Sequence, residues 1–203
     1  MTTSVKPTKL SDQLEQWLHR DGEKTLSSLI QTFGDKSFAI ILVVLLGVPA
    51  LPLPTGGVTH VFELIALLVA FQLIAGRHEV WLPQRWRRLE LAGPREQRFI
   101  AGLMRLIRRL ERYSRPRLTF VFRARLTDTV FGLLAMTGTI GAFLAPPFSG
   151  LDTLPALGVV VLSLSVLLED ALIAAVGILL EVMGVVLELA LGAAAVHGIS
   201  SIL

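Results

Sequence analysis

Between Phe38 and Gly76 an apolar run leads into a cluster of proline, glycine and hydroxyl residues and then a second apolar run. The same order returns between Val130 and Asp170. The first copy reads FAIILVVLLGVPALPLPTGGVTHVFELIALLVAFQLIAG, and the second VFGLLAMTGTIGAFLAPPFSGLDTLPALGVVVLSLSVLLED. Proline removes a backbone donor and clashes with the preceding turn, so each apolar run must lose its helix near the middle. In hydrocarbon the freed backbone groups have no water to turn to, and such breaks survive only where protein or a water-lined cavity satisfies them. Two breaks in corresponding places are the pattern of a transporter binding site.

That argument needs a membrane, and the rest of the chain supplies one. Hydrophobic residues make up 53% of the sequence, and residues 171–195, ALIAAVGILLEVMGVVLELALGAAA, can cross a bilayer at about 1.5 Å per residue. The expected fold is an all-α integral membrane protein with two proline-broken helical hairpins and one C-terminal transmembrane helix. Five segments follow: an amphipathic helical cap (1–36), hairpin one (37–76), a basic amphipathic linker (77–125), hairpin two (126–170) and the last helix (171–203). The N-terminus lacks the apolar core and cleavage site of a secretory signal, so the first apolar run is expected to direct insertion. With no cysteine, disulfides and thiolate chemistry are excluded.

Charge sets the orientation. Residues 1–36 hold five basic and five acidic groups, residues 77–125 hold fourteen arginines against four glutamates, and no Lys or Arg follows Arg125. By the positive-inside rule the linker and the cap are cytoplasmic. In the cap, Leu10, Leu14, Trp17 and Leu18 share a helical face with Ser11 or Asp12 as its N-cap; Thr25 opens a second helix that Gly34 stops. In the linker, Phe99, Leu103, Leu106, Leu110 and Tyr113 recur at steps of four and three. Arg105, Arg108, Arg109 and Arg112 occupy its other faces, where they are expected to meet anionic lipid headgroups. The continuous apolar face argues against nucleic acid as the partner.

Sliding the chain by 93 residues superimposes Asp35 on Asp128, Phe38 on Phe131, Leu51 on Leu144, Pro54 on Pro147, Gly57 on Gly150 and Leu64 on Leu157. The copies therefore read as similar hairpins and a candidate internal repeat, with two questions open: re-entrant or spanning, inverted or parallel. The arm Phe38–Val48 is too short for roughly 30 Å of hydrocarbon. The substrate-binding candidates stand at the tips: Pro54, Gly56, Gly57, Thr59 and His60 in the first, Pro147, Ser149, Gly150 and Asp152 in the second. A helix start facing into the protein suits phosphate or carboxylate, with Asp152 and Thr59 equally readable as N-caps. Three carboxylates in apolar helices, Glu63, Glu181 and Glu188, are candidates for proton or cation coupling, because a charge there must be paired, protonated or wet. On the last helix, Ala174, Gly177, Gly184 and Ala195 continue the Glu181–Glu188 stripe, which should face other helices. No catalytic residue, metal site or cofactor is expected: His-Glu-x-x-His and Gly-x-Ser-x-Gly are absent and the four histidines are scattered.

The amphipathic N-terminal pair, VPALPLPTGGVTHVFELIALLVAFQLIAGRHEVWLP, the basic linker and a second hairpin ending in LLED together resemble the ExoD family of bacterial inner-membrane proteins of exopolysaccharide synthesis. The resemblance covers nearly the whole chain and is most specific at PLPTG, at Gly76 and Arg77, and at Trp81 to Pro83. It implies a bacterial inner-membrane location and a link to exopolysaccharide production and alkaline tolerance. Two functions are open on this basis. One is a small oligomeric transporter of a lipid-linked or anionic substrate coupled to protons or cations; the other is a non-transporting scaffold or regulator that recruits polysaccharide-assembly proteins.

Overall fold

The computed structural model describes residues 9–20, 24–51, 58–77, 79–87, 94–114, 122, 125–146 and 149–200. Its elements are helices: α1 (Leu10–His19), α2 (Leu26–Phe33), α3 (Ser37–Leu46), α4 (Val58–Ile74), α5 (Gln84–Arg87), α6 (Pro94–Tyr113), α7 (Arg125–Leu144), α8 (Thr153–Leu168) and α9 (Ala171–Ser200). No strand occurs among the described residues, as an all-α chain requires. Pro54, Gly56, Gly57 and Pro147, all named as tip residues, lie outside the described residues.

Four helices form a ring. α3 lies against α4 and α8, and α7 lies against the same two. The ring has two distinct ends. At one, Lys36 ahead of α3 reaches the Leu167 carbonyl and Glu169 past α8, at 3.1 and 3.3 Å. At the same end Gly132, early in α7, sits against Ile74 at the end of α4. At the other end His60, at the start of α4, meets Phe143 at the end of α7. Thus α3 and α7 run one way and α4 and α8 the other. α3 and α7 end, and α4 and α8 begin, at the same end of the ring.

Every residue of α3 is buried, which explains its uninterrupted run of apolar side chains. Helical hydrogen bonding carries on past Leu46, with Gly47 and Ala50 donating to Val43 and Leu46, before the prolines end it. The outer helices differ in kind. α4 exposes Val61, Leu64 and Phe71, and α7 exposes Val130, Leu133, Ile140 and Leu144. α9 exposes Leu172, Val176, Leu179 and Val186 on one face and turns Gly177, Glu181, Gly184 and Glu188 towards the ring. A large apolar side chain facing outwards along three helices is the surface that lipid covers. Residues 127–144 and 171–194 are each long and apolar enough to cross a membrane.

The α8–α9 seam is set by missing side chains. A Cβ on Gly158 would lie 2.5 Å from the Glu181 backbone nitrogen, one on Gly177 2.6 Å from that of Leu162, and one on Gly184 2.6 Å from Pro155. Glycine at these positions lets the two backbones touch. Between them, Glu169 adopts a left-handed conformation and Asp170 caps α9 by accepting from the Leu172 amide at 3.0 Å. The acidic pair after α8 is therefore a turn.

The cap differs from the sequence expectation at one point. Neither Ser11 nor Asp12 caps α1; Lys9 is at the N-cap position and provides no side-chain bond. Ser11 instead donates from its amide and its hydroxyl to Glu111 of α6, at 2.9 and 2.6 Å. α1 and α6 pack together with Leu103 and Ile107 buried. Leu106 and Tyr113 are exposed, at 37% and 74%, because the buried stripe of α6 is turned towards Met104 and Ile107. The α2 boundaries agree with expectation: Thr25 and Ser28 form a reciprocal capping box and Gly34 ends the helix at φ +50°.

Candidate functional site

The polar groups inside this apolar bundle fall into two sets. The first gathers at the hairpin tips. Glu63, one turn into α4, is 0% exposed. Its Oε2 lies 2.7 Å from His60 Nδ1, while its Oε1 has no partner among the described residues. The i, i+3 spacing on α4 brings these two side chains together. Asp152 occupies the N-cap position of α8 without a full side-chain capping bond, its carboxylate lying against the backbone amides of Asp152 and Thr153. It lies within electrostatic reach of Glu63, His60 and Glu188. Glu188 of α9 joins them through a gap in α7: a Cβ on Gly141 would stand 3.1 Å from its Oε2. Its Oε1 is buried and has no partner among the described residues. Three helices thus deliver His60, Glu63, Asp152 and Glu188 to one region.

Glu181 forms the second set, two helical turns below Glu188 on α9. It is 3% exposed and wedged between α7 and α8, where a Cβ on Gly138 would come within 2.9 Å of its carboxyl carbon. Oε1 is 2.6 Å from Thr137 Oγ1, and that same hydroxyl is 2.8 Å from the Leu134 carbonyl. Oε2 is buried and unpartnered among the described residues. No ion pair to Glu181 occurs among the described residues.

The other sequence candidates take different roles. Ser149 builds the second tip, donating to the Pro146 carbonyl at 2.6 Å and accepting from the Leu151 amide at 3.2 Å. Gly150 follows at φ +70°, a conformation that costs glycine least. Both are exposed. Thr59 is buried and engaged in an interaction of its own. Of the linker arginines, Arg108 pairs with Glu15 of α1 at 2.6 Å and Arg105 is also engaged. Arg109 and Arg112 face outwards.

Sequence reasoning missed Thr137, whose signal was the small-residue run TGTIG at 137–141, and Gln72. The Gln72 amide donates to the Leu68 and Trp81 carbonyls, at 3.0 and 2.9 Å, and accepts from the Trp81 amide at 2.7 Å. It anchors the chain leaving α4. A lone glutamine in an apolar helix gave no indication of its partner.

Apolar outer faces, glycine-mediated helix contacts and carboxylates turned inwards define a helical membrane protein with a polar site inside the bundle. Over residues 10–190 the chain matches the family described as exopolysaccharide synthesis, ExoD, and it belongs to that family. Membership links it to exopolysaccharide synthesis. An uncharacterised protein of Synechocystis is 29% identical over 178 residues, covering 86% of this chain and 83% of that protein. Protein ExoD of Rhizobium meliloti is 32% identical over 157 residues, 75% of this chain and 64% of its relative's length. No solved structure matches the chain.

Proposed function

We propose that the chain is a small proton-coupled transporter of exopolysaccharide synthesis, moving a lipid-linked or otherwise anionic substrate across the bacterial inner membrane. The observation that carries this reading is the arrangement of Glu181, Thr137 and the Leu134 carbonyl. A hydroxyl has one proton, and a carbonyl can only accept. Both short contacts are hydrogen bonds at once when Glu181 carries a proton and donates it to Thr137, which donates onward to Leu134. Loss of that proton forces Thr137 to choose between a carboxylate and its own helix. Protonation at Glu181 is thereby coupled to the conformation of α7, which is the requirement for a coupling site.

In this reading the hairpins re-enter the bilayer rather than span it. α8 begins level with Gly184, and its neighbour α7 ends near Glu188, yet the apolar run of α9 continues to Ala194 with exposed side chains. That overhang is on the order of 10 Å at 1.5 Å per residue, and lipid is its natural cover. The tips and the cluster of His60, Glu63, Asp152 and Glu188 then stand within the bilayer, where transporters place their substrates. The linker faces the cytoplasm, and because one ring of four helices encloses little path, the working unit is an oligomer.

The test is proton flux into proteoliposomes carrying a trapped pH dye, under an imposed pH gradient, with phosphate-bearing lipids included one class at a time. Wild type should show lipid-dependent flux and Glu181→Gln should abolish it at equal protein incorporation. Equal flux in the variant would remove the transporter account and leave scaffolding.

A further inference from the structure

At the end of the ring opposite the tips is a cavity of about 450 Å³, within the range of small-molecule sites. It lies where α3 and α7 begin and α4 and α8 end. Its walls include Phe38, Phe131 and Leu73, and its charged groups are Lys36, Arg77, Asp128 and Glu169. Three of these charges are already answered. Lys36 is paired with Glu169 and the Leu167 carbonyl. Asp128 sits in the first turn of α7, where the helix dipole favours an anion, and is engaged in a further interaction. Arg77 differs: its amide is bound to the Gln72 carbonyl, but its guanidinium has no hydrogen bond or ion pair among the described residues.

An aromatic and aliphatic chamber with one uncommitted guanidinium at its rim is built for a molecule with an apolar body and an anionic head. Guanidinium prefers a bidentate oxyanion, phosphate above all. We infer that this cavity binds a phosphate-headed amphiphile, with Arg77 on the phosphate and the chain against Phe38, Phe131 and Leu73. The Lys36–Glu169 pair closes one side of the rim and leaves the Arg77 side for the head. This site is separate from the carboxylates at the tips and does not depend on transport.

Native mass spectrometry of the full chain in detergent, with a short-chain phosphatidic acid and the matching diacylglycerol, tests the inference. Phosphatidic acid should form a one-to-one adduct, and diacylglycerol should bind about tenfold or more weakly. Arg77→Gln should lose that preference while its melting temperature stays within error of wild type, because the side chain it replaces makes no hydrogen bond or ion pair among the described residues. Arg85→Gln, on the exposed side of α5 and away from the cavity walls, should bind as wild type does. An Arg77→Gln variant that still prefers phosphatidic acid, or an equal loss in Arg85→Gln, would overturn the site. Displacement of the adduct by inorganic phosphate alone would assign the cavity to free phosphate and overturn the amphiphile; persistence of the adduct supports it.

Discussion

Single residues in this protein matter where the apolar interior leaves them no alternative partner. Glu63 depends on His60, so His60→Ala should destabilise the fold by about 1–3 kcal/mol, the usual cost of stranding a buried polar group. Pairing it with Glu63→Gln should recover part of that loss, a coupling that thermal unfolding in detergent of both single variants and the double variant would measure. Thr137 makes a different kind of contribution. Thr137→Val keeps the shape and removes the hydroxyl, so proton flux should fall while folding is largely retained; an unaltered rate would show that the hydroxyl is not part of the path. The carboxylates were legible from the sequence because an acid in an apolar run is conspicuous. The spacing also puts His60 within reach of Glu63, three residues on, whereas the threonine that meets Glu181, on another helix and 44 positions distant, leaves no such trace.

At the level of helices, glycine decides which faces meet. Gly177→Leu should cost at least about 1–3 kcal/mol, because a side chain there collides with the backbone of Leu162 and must push α9 away. Gly192→Leu, where a side chain meets nothing within 4 Å, should leave the melting temperature unmoved or slightly raised, since leucine favours a helix more than glycine does, and an equal loss at both positions would show that the contact with Leu162 is not responsible. Heptad spacing of small residues made the inward face of α9 readable in advance. The same kind of periodicity misplaced the buried stripe of α6, because Leu106 and Met104 are equally apolar and only the position of α1 selects between them. Glu111→Ala should release α1 from α6, seen as faster amide exchange over residues 10–19, with no change in the four-helix ring. Ser11 was mistaken for a cap because a serine near a helix start is usually one; a glutamate 100 residues away competed successfully for it.

For the molecule as a whole, the absence of native cysteine gives clean labelling of introduced ones. Arg109→Cys should react with a bulky impermeant maleimide only from the cytoplasmic side, and Ser149→Cys should resist that reagent from both sides while remaining open to a small thiosulfonate. Rapid maleimide labelling of Ser149→Cys from outside would mean that the second hairpin spans. The repeat was visible as an order of features, but the direction of its helices came only from the contacts at the two ends of the ring, since six identities carry no direction in space. One of those contacts bears on how the protein is made. α3 is buried along its whole length, and one of its two ring neighbours, α8, begins more than a hundred residues later. At ~5–20 residues per second of synthesis, that delay lasts on the order of ten seconds. Throughout it the first hairpin must be sheltered by lipid or by the insertion machinery, with the ammonium of Lys36 held ready for a carboxylate not yet translated. A ribosome stalled within the linker would therefore leave half a ring in the membrane, complete in its chemistry and without a neighbour.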